Sequence, residues 1–208
     1  MSPRVLCITG GMGAGKSLAV SYFRDLDWPV YPADERAKFL ITTSPRLQYD
    51  LVSAFGSDSI CPDGSPNAVY LGIHAFSSHS NWQRLNEIIH PAVNEDFIGW
   101  LGALKAQDHP WVIKESALLF EIGNRSTCNR VLLITAQEAL RKNRIAQRNP
   151  ELSLEALSSR MSFQWDDDRK RKLLGTDDFE ISNDESSENF LRKIALWSHS
   201  AFAHVRLP

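Results

Sequence analysis

The segment GGMGAGKS at residues 10–17 limits the possible folds of this chain more than any other feature. It matches the pattern G-x-x-x-x-G-K-[ST] in full, follows an apolar segment at residues 5–9 and precedes a segment with helical spacing at residues 17–26. Glycines let successive backbone N–H groups converge on phosphate oxygens, and the next helix points its free N–H groups at the same anion. This context predicts a strand–loop–helix unit that binds a nucleoside triphosphate, rather than a chance glycine-rich turn.

The residue types in this segment also indicate individual roles. Lys16 has the reach to contact the β- and γ-phosphates, and the Ser17 hydroxyl is suited to ligate Mg²⁺. The nucleotide is expected to contact a continuous run of the chain, namely Gly11, Met12, Gly13, Ala14, Gly15, Lys16 and Ser17. The pattern carries no information about the acceptor of the phosphate.

The composition argues against several classes of protein. The 208 residues include 23 Lys and Arg against 25 Asp and Glu, and a net charge of -2 does not favour a general nucleic-acid or membrane-surface binder. No apolar stretch is long enough to span a bilayer, and the N-terminus lacks the layout of a signal peptide. Cys7, Cys61 and Cys128 have no metal-binding spacing. We therefore expect a cytoplasmic protein with three reduced thiols.

Short apolar segments alternate with helical segments along the chain. Strands are predicted at residues 5–9, 28–31, 111–114, 130–135 and 179–182. Helices are predicted at residues 17–26, after a loop within 33–41, from Pro45 to about 55, at 137–149, from Ser153 and from Asp184 onward. Residues 68–107 are mostly helical in pattern and lie between two strands, as a helical insert would. The alternation predicts an α/β fold whose parallel sheet is covered on both faces.

Asp34 directly follows the second predicted strand. The carboxyl ends of parallel strands face the ligand crevice of an open sheet, so Asp34 is a candidate to orient or deprotonate an accepting hydroxyl across from Lys16. Aspartate is also a favoured helix N-cap, and the residues after Asp34 have helical character. Position alone leaves both interpretations open.

Three arginines, Arg141, Arg144 and Arg148, are spaced by three and four residues and share one helix face. In a phosphate-transfer enzyme such a stripe can close over the triphosphate, whereas a solvated basic face is its ordinary explanation. Glu115 ends the third predicted strand, where a carboxylate can hold Mg²⁺ through water, and Glu121 is a rival for that role. His90 precedes Pro91, and from the residues alone a helix kink with a surface histidine is the favoured explanation of this pair.

With these residues in view, the chain resembles the dephospho-CoA kinase family along nearly its whole length. The resemblance rests on motifs in order, namely ITGGMGAGKS, VYPADERAK, FGSDSICPDG, LNEIIHP, ESALLFEIG, RKNRIAQR, RMSFQ and DDFEISN. That family transfers the γ-phosphate of ATP to the ribose 3′-hydroxyl of dephospho-CoA, which completes coenzyme A. The resemblance implies a P-loop, nucleoside-kinase-like three-layer fold with a helical substrate-binding insert and an Arg-rich lid.

The resemblance also implies roles for individual residues. Asp34 matches the family's catalytic aspartate, and we expect it to act together with Lys16 and Arg144. Arg144 and Arg148 match lid arginines. The residues added to the nucleotide site are Arg148 and Asn183, where Asn183 matches the segment that borders the adenine. The residues assigned to the acceptor are Asp34 and His90, and those assigned to Mg²⁺ are Ser17 and, as second choice, Glu115.

Three positions depart from the family pattern. Pro32 stands where a first aspartate is usual, Ala68 stands where an arginine normally follows the D-G motif, and Ala117 replaces the proline before L-L-F-E. Because the family's acceptor carries a pyrophosphate, the absence of an arginine at residue 68 bears directly on acceptor binding.

We expect one kinase domain over residues 1–208, with a core at about 1–58 and 108–208, an acceptor-binding insert at about 59–107 and a lid at about 137–165. Its expected partners are ATP and dephospho-CoA, without nucleic acid or membrane. The oligomeric state is left open, and a monomer is compatible with the sequence. The alternatives are another small-molecule or nucleotide P-loop kinase and a non-catalytic ATP-binding module. The absence of an N-K-x-D string argues against a GTPase switch.

Overall fold

The computed structural model describes residues 2–105, 108–151 and 153–203. The strands in these ranges are β1 (Arg4–Thr9), β2 (Val30–Pro32), β3 (Trp111–Glu115), β4 (Arg130–Thr135) and β5 (Phe179–Ser182). The helices in the same ranges are α1 (Lys16–Arg24), α2 (Ala33–Thr43), α3 (Pro45–Phe55), α4 (Ala68–Ala75), α5 (His79–Ala103), α6 (Glu138–Arg148), α7 (Leu154–Ser162), α8 (Asp167–Arg171) and α9 (Ser187–Ala201). Helix and strand alternate through most of this order, which is the arrangement of an α/β protein.

The strands form one parallel five-stranded sheet in the order β2-β3-β1-β4-β5. β1 lies at its centre, with Ile8 in register with Glu115 on one side and with Leu132 on the other. The inner strands are buried along almost their full length, as expected for a parallel sheet covered on both faces. The predicted fold class is therefore confirmed, and the chain segment that follows β1 emerges from the middle of the sheet.

The described residues group into two compact units. The first unit, drawn from residues 1–31 and 104–208, contains the core of the sheet. One cluster in it packs Phe23 of α1 and Phe190 and Ile194 of α9 against β1 and β4. Trp111 and Phe202 pack edge to face at a centroid distance of 5.0 Å in the same cluster. Burial of these apolar side chains stabilises the strand–loop–helix unit at the start of the chain.

The second unit, Pro32–Ala103, is helical. Ile41, Leu47 and Leu51 form a core that packs against apolar residues of α5. Arg36 of α2 makes a bidentate ion pair with Asp96 of α5, with N–O distances of 2.9 and 2.7 Å. This unit begins at residue 32, earlier than the insert expected from about residue 59, because α2 and α3 both pack on α5.

Most predicted elements match the structure closely. β4 and α3 have the predicted bounds, and Ser153 is the N-cap of α7, its hydroxyl accepting from the N–H of Ala156. The mostly helical stretch from residue 68 divides into α4 and α5, and Pro91 lies inside α5. The short helix α8 has no counterpart among the predicted elements. Its sequence, DDRKR, is charged throughout and has no apolar periodicity to indicate a helix.

The expectation of three reduced thiols is wrong for two of them. Cys7 and Cys128 form a disulfide with a Cα–Cα distance of 5.7 Å, while Cys61 is free. The pairing arises because β1 and β4 are neighbours, and Cys128 lies two residues before β4. A separation of 121 residues gave no hint of this proximity. Within the described ranges, no helix is both long and apolar enough to cross a membrane.

Candidate active site

The loop between β1 and α1, residues 10–15, is here named the phosphate loop. Its last residue, Gly15, is the N-cap of α1 and makes no side-chain cap hydrogen bond. By contrast, Ser44, Ser153 and Ser186 cap α3, α7 and α9 with their hydroxyl oxygens. Because glycine has no side chain, residue 15 cannot cap the first N–H groups of α1. A helix N-terminus left open in this way is suited to bind an anion such as phosphate.

Two glycines of the phosphate loop are required by conformation and by space. Gly15 has φ +107°, and a Cβ at this residue would lie 2.1 Å from Nδ2 of Asn183. Gly13 has φ +77°, and a Cβ there would lie 2.6 Å from the backbone oxygen of Arg141. Both φ values fall in the region that side-chain-bearing residues rarely adopt. The loop is therefore packed closely against Asn183, which directly follows β5, and against α6.

Lys16 and Ser17 occupy the first turn of α1. Lys16 is 8% exposed, and its Nζ donates to the carbonyl oxygen of Gly10 at 3.0 Å and, more weakly, to that of Gly11 at 3.4 Å. The ammonium group is therefore held along the phosphate loop, where a bound phosphate would compete for its protons. Ser17 is exposed, so its hydroxyl is accessible to a ligand.

Arg144 and Asn183 meet at the phosphate loop. Arg144 donates from Nη2 to the backbone oxygen of Asn183 at 2.9 Å and from Nη1 to the oxygen of Gly13 at 3.4 Å. The side chain of Asn183 is 3% exposed and donates from Nδ2 to the oxygen of Ala14 at 2.8 Å. The structure thus brings together a lid arginine, which the resemblance assigned to catalysis, and Asn183, which it assigned to the nucleotide site. Arg148, the last residue of α6, is exposed.

Two further side chains contact the phosphate loop: Arg141, which the sequence offered only as part of the arginine stripe, and Gln164, which received no role from the sequence. Arg141 is 8% exposed and donates from Nε to the oxygen of Met12 at 2.9 Å. Gln164 accepts from the N–H of Met12 at 2.7 Å. Arg141 shares the helix face of Arg144 and Arg148, and that spacing was a usable signal. Gln164 lies in the RMSFQ motif, but nothing in the motif indicated its partner.

The candidate metal carboxylates differ sharply in their surroundings. Glu115 ends β3, half-buried and in register with Ile8, two residues before the phosphate loop. Glu121 has a fully buried side chain whose Oε1 lies 3.1 Å from Nζ of Lys170 and accepts from the N–H of Trp165 at 2.9 Å. Its ion pair with a lysine makes Glu121 the poorer metal ligand of the two. Within the described ranges, no group of three or more His, Cys, Asp or Glu residues is placed to hold a metal.

Asp34 and His90 belong to the helical unit. Asp34 is exposed and is the second residue of α2, whose N-cap is Pro32. The interpretation of Asp34 as the helix N-cap is therefore wrong, because β2 runs into α2 without an intervening loop. His90 is half-buried in α5, with Nε2 2.8 Å from Oδ1 of Asn86 one turn earlier.

A polar cavity of about 300 Å³ lies between α6, α7 and residues 164–166. Arg141 and Gln164 both line it. Asp167 of α8 lies nearby, with Oδ1 3.8 Å from Nη1 of Arg141, and burial raises the pKa of its carboxyl group. On β5, hydrogen bonds from Arg171 lower the pKa of Glu180. Charged and polar groups thus dominate the region around the cavity between α6 and α7.

A family model described as dephospho-CoA kinase matches residues 4–189, which include the phosphate loop, Arg144 and Asn183. The chain belongs to the dephospho-CoA kinase family. A dephospho-CoA kinase of Porphyromonas gingivalis is 36% identical over 76% of this chain and 75% of its own length. A dephospho-CoA kinase of Geobacillus kaustophilus is 29% identical over 90% of this chain and 91% of its own. A crystal structure from Thermus thermophilus superposes with a TM-score of 0.76 at 26% identity, covering 99% of each chain.

Membership in the dephospho-CoA kinase family indicates which ligand the phosphate loop binds. The family consists of kinases that use ATP, and the phosphate loop with its open helix N-terminus is the part of this chain suited to the triphosphate. Such kinases generally need a divalent metal ion. The hydroxyl of Ser17 and the carboxylate of Glu115 are oxygen ligands of the kind such a metal prefers. With few protein oxygens available, phosphate oxygens and water would complete its coordination.

Proposed function

We propose that this member of the family transfers the γ-phosphate of ATP to the ribose 3′-hydroxyl of dephospho-CoA, giving coenzyme A and ADP. The observation that carries the proposal is the contact set of the phosphate loop, where Arg144 and Asn183 bond the same loop that begins α1. These residues lie in motifs spread from residue 10 to residue 183, and the family model covers all of them. A chance glycine-rich turn would not be expected to form hydrogen bonds with side chains from these distant motifs.

The nucleotide is assigned to the phosphate loop and to the first turn of α1. Backbone N–H groups within residues 11–17, apart from the N–H of Met12 that donates to Gln164, and the Nζ of Lys16 bind the β- and γ-phosphates. Lys16 exchanges the carbonyl oxygens of Gly10 and Gly11 for phosphate oxygens, and charge-assisted bonds to phosphate are stronger than bonds to a neutral carbonyl. The metal would be Mg²⁺, which Ser17 would hold directly and Glu115 through water, and it would neutralise charge on the β- and γ-phosphates.

The lid segment, residues 137–165, is assigned to closure over the triphosphate. Arg144 stabilises the charge that spreads over the transferring phosphoryl group, and Arg148 contacts the nucleotide from the end of α6. Closure excludes water, which would otherwise accept the phosphate in place of the substrate. Asn183 borders the adenine while its side chain holds Ala14.

The acceptor is assigned to the helical unit. Asp34 orients and deprotonates the ribose 3′-hydroxyl, which then attacks the γ-phosphorus in line with the leaving ADP. His90 contacts dephospho-CoA. Ala68 is the first residue of α4, where an arginine would add a charge-assisted bond to the acceptor's pyrophosphate. The absence of this arginine is expected to weaken acceptor affinity about tenfold or more without abolishing the reaction.

The same departure at Ala68 favours one competing proposal, a P-loop kinase for another small hydroxyl acceptor. ADP release from Mg-ATP is measured with a panel consisting of dephospho-CoA, adenosine, AMP and a polyol acid such as gluconate. The proposal expects rapid turnover with dephospho-CoA alone. Faster turnover with any other member of the panel contradicts it and assigns the chain to that acceptor.

We also propose that the protein acts in the cytoplasm and binds no nucleic acid. A monomer is compatible with this activity. Fractionation of expressing cells tests its location. Sedimentation equilibrium of the purified chain tests its oligomeric state.

A further inference from the structure

The two main-chain polar groups of Met12 are both bonded by side chains of the lid segment. The N–H of Met12 donates to Oε1 of Gln164 at 2.7 Å, and its oxygen accepts from Nε of Arg141 at 2.9 Å. These contacts join residues 152 and 129 positions apart in the chain. Neither one belongs to the sheet or to the apolar core, so the core alone does not account for them.

The position of Gln164 is set by a buried anchor rather than by α7 alone. Gln164 lies just after α7, and the next residue, Trp165, donates its N–H to Oε1 of Glu121 at 2.9 Å. Glu121 pairs with Lys170 of α8 at 3.1 Å, and both side chains are fully buried. A buried ion pair tolerates little displacement, because separating its charges in a low-dielectric interior is costly. The backbone beside Gln164 is therefore held firmly to the segment that follows β3.

The space around these contacts is polar and partly open. The cavity of about 300 Å³ between α6 and α7 is lined by both Arg141 and Gln164. Tight apolar packing therefore does not fill this side of the lid segment. Individual hydrogen bonds therefore hold Met12 in place, and the loss of one of them should change the conformation of the phosphate loop.

We propose that Gln164 is a positioning residue that sets the conformation of the phosphate loop through the N–H of Met12. Met12 stands between Gly11, whose oxygen accepts from the N–H of Ala14 at 3.1 Å, and Gly13, which has φ +77°. Rotation of the peptide before Met12 would redirect the N–H groups that follow it. Gln164 prevents this rotation and so preorganises the loop for phosphate before the nucleotide arrives.

The inference rests on the proposed function only in that the loop binds ATP. The test variant is Gln164→Met, which keeps the length of the side chain and removes the acceptor. The matched control is Gln147→Met, the same chemical change at an exposed position of α6. Calorimetric titration with ADP gives affinity without the acceptor, steady-state kinetics give the KM for ATP and for dephospho-CoA, and thermal unfolding gives Tm.

Gln164→Met is expected to weaken ADP binding and to raise the KM for ATP, each about tenfold, because a loop N–H loses its partner. The KM for dephospho-CoA and the Tm should stay at wild-type values, and Gln147→Met should match the wild type in every measurement. An affinity of Gln164→Met for ADP within twofold of wild type overturns the proposal. So does an equal rise in both KM values, which would indicate general damage.

Two further arms keep the test decisive. If Gln164→Met does not fold, Gln164→Asn, whose amide is one methylene too short to reach Met12, is put through the same measurements with the same expected results. If wild-type protein binds ADP but does not phosphorylate dephospho-CoA, the proposed function fails. The effect of Gln164→Met on ADP affinity then still decides the role of Gln164.

Discussion

The side-chain amide of Asn183 donates a 2.8 Å hydrogen bond to the carbonyl oxygen of Ala14, so that the residue directly after β5 holds the phosphate loop across 169 residues of chain. Asn183 is itself secured, because its N–H donates to the oxygen of Thr135 at 2.8 Å and its own oxygen accepts from Arg144. One asparagine therefore connects the loop, the sheet and the lid segment.

Replacement of Asn183 by aspartate should weaken nucleotide binding. The carboxylate cannot donate to Ala14, and its negative charge lies beside a loop built to receive phosphate. We expect ADP affinity to fall tenfold or more in calorimetric titration. Asn143→Asp introduces the same charge at an exposed position of α6 and serves as the control. Equal affinities for the two variants would remove Asn183 from the nucleotide site.

Gly15→Ala should disrupt the phosphate loop, whereas Gly99→Ala should not. At Gly15 the new methyl group meets Nδ2 of Asn183 at 2.1 Å and the backbone has φ +107°. At Gly99 in α5, no described atom outside the neighbouring helix backbone lies within 4 Å of a Cβ. We expect Gly15→Ala to lower the free energy of unfolding by about 1–3 kcal/mol and to abolish measurable ADP binding. Gly99→Ala should leave binding intact and raise stability by up to about 1 kcal/mol. Urea unfolding and titration with ADP measure both effects, and tight ADP binding by Gly15→Ala would contradict the loop geometry.

Lys114 should give the stability of the protein a distinct pH dependence. It is 2% exposed in β3, and burial lowers its pKa from 10.5 to about 8. Between these values the unfolded chain binds a proton that the folded chain does not, so stability rises with pH across this window. Relative to Lys114→Met, the wild type should gain on the order of 3 kcal/mol from pH 8 to pH 10.5.

Urea unfolding of the two proteins at several pH values checks this expectation. Lys38→Met, a change at an exposed lysine of α2, controls for the loss of one positive charge. Parallel profiles for wild type and Lys114→Met would show that Lys114 stays protonated in the folded state throughout the window.

Asp34→Asn should separate binding from chemistry. The amide keeps the shape of the side chain but cannot take the proton of the 3′-hydroxyl. Calorimetry should therefore give wild-type ADP affinity, while kcat for dephospho-CoA should fall at least a hundredfold. Glu35→Gln, the same change at the exposed neighbour in α2, should keep most activity. Full turnover by Asp34→Asn would exclude the assigned role.

The sequence predicted the elements that carry strong local signals. The apolar run at residues 130–135 is β4 to the residue, and Pro45 begins α3 as expected. The phosphate loop was recognisable because its glycines, Lys16 and Ser17 each meet a local requirement. Asn183 and Arg144 were found through motif resemblance, and the structure places both at the loop.

The features that escaped prediction depend on contacts between distant segments. Helix α8 reads as a solvated charge run, yet Lys170 within it is fully buried against Glu121. The disulfide between Cys7 and Cys128 follows from strand order, which no spacing rule reveals. The bond from Met12 to Gln164 spans 152 residues and involves a backbone group, so no side-chain pattern records it.

Transfer of an isotopic label shows whether the γ-phosphate of ATP reaches dephospho-CoA. The protein is incubated with dephospho-CoA and ATP carrying ¹⁸O in the γ-phosphate, and the masses of the products are measured by mass spectrometry. We expect coenzyme A that contains the labelled phosphoryl group, formed in equal amount to ADP. Labelled inorganic phosphate with unchanged dephospho-CoA would contradict it and leave the chain a nucleotide-binding protein with a different acceptor.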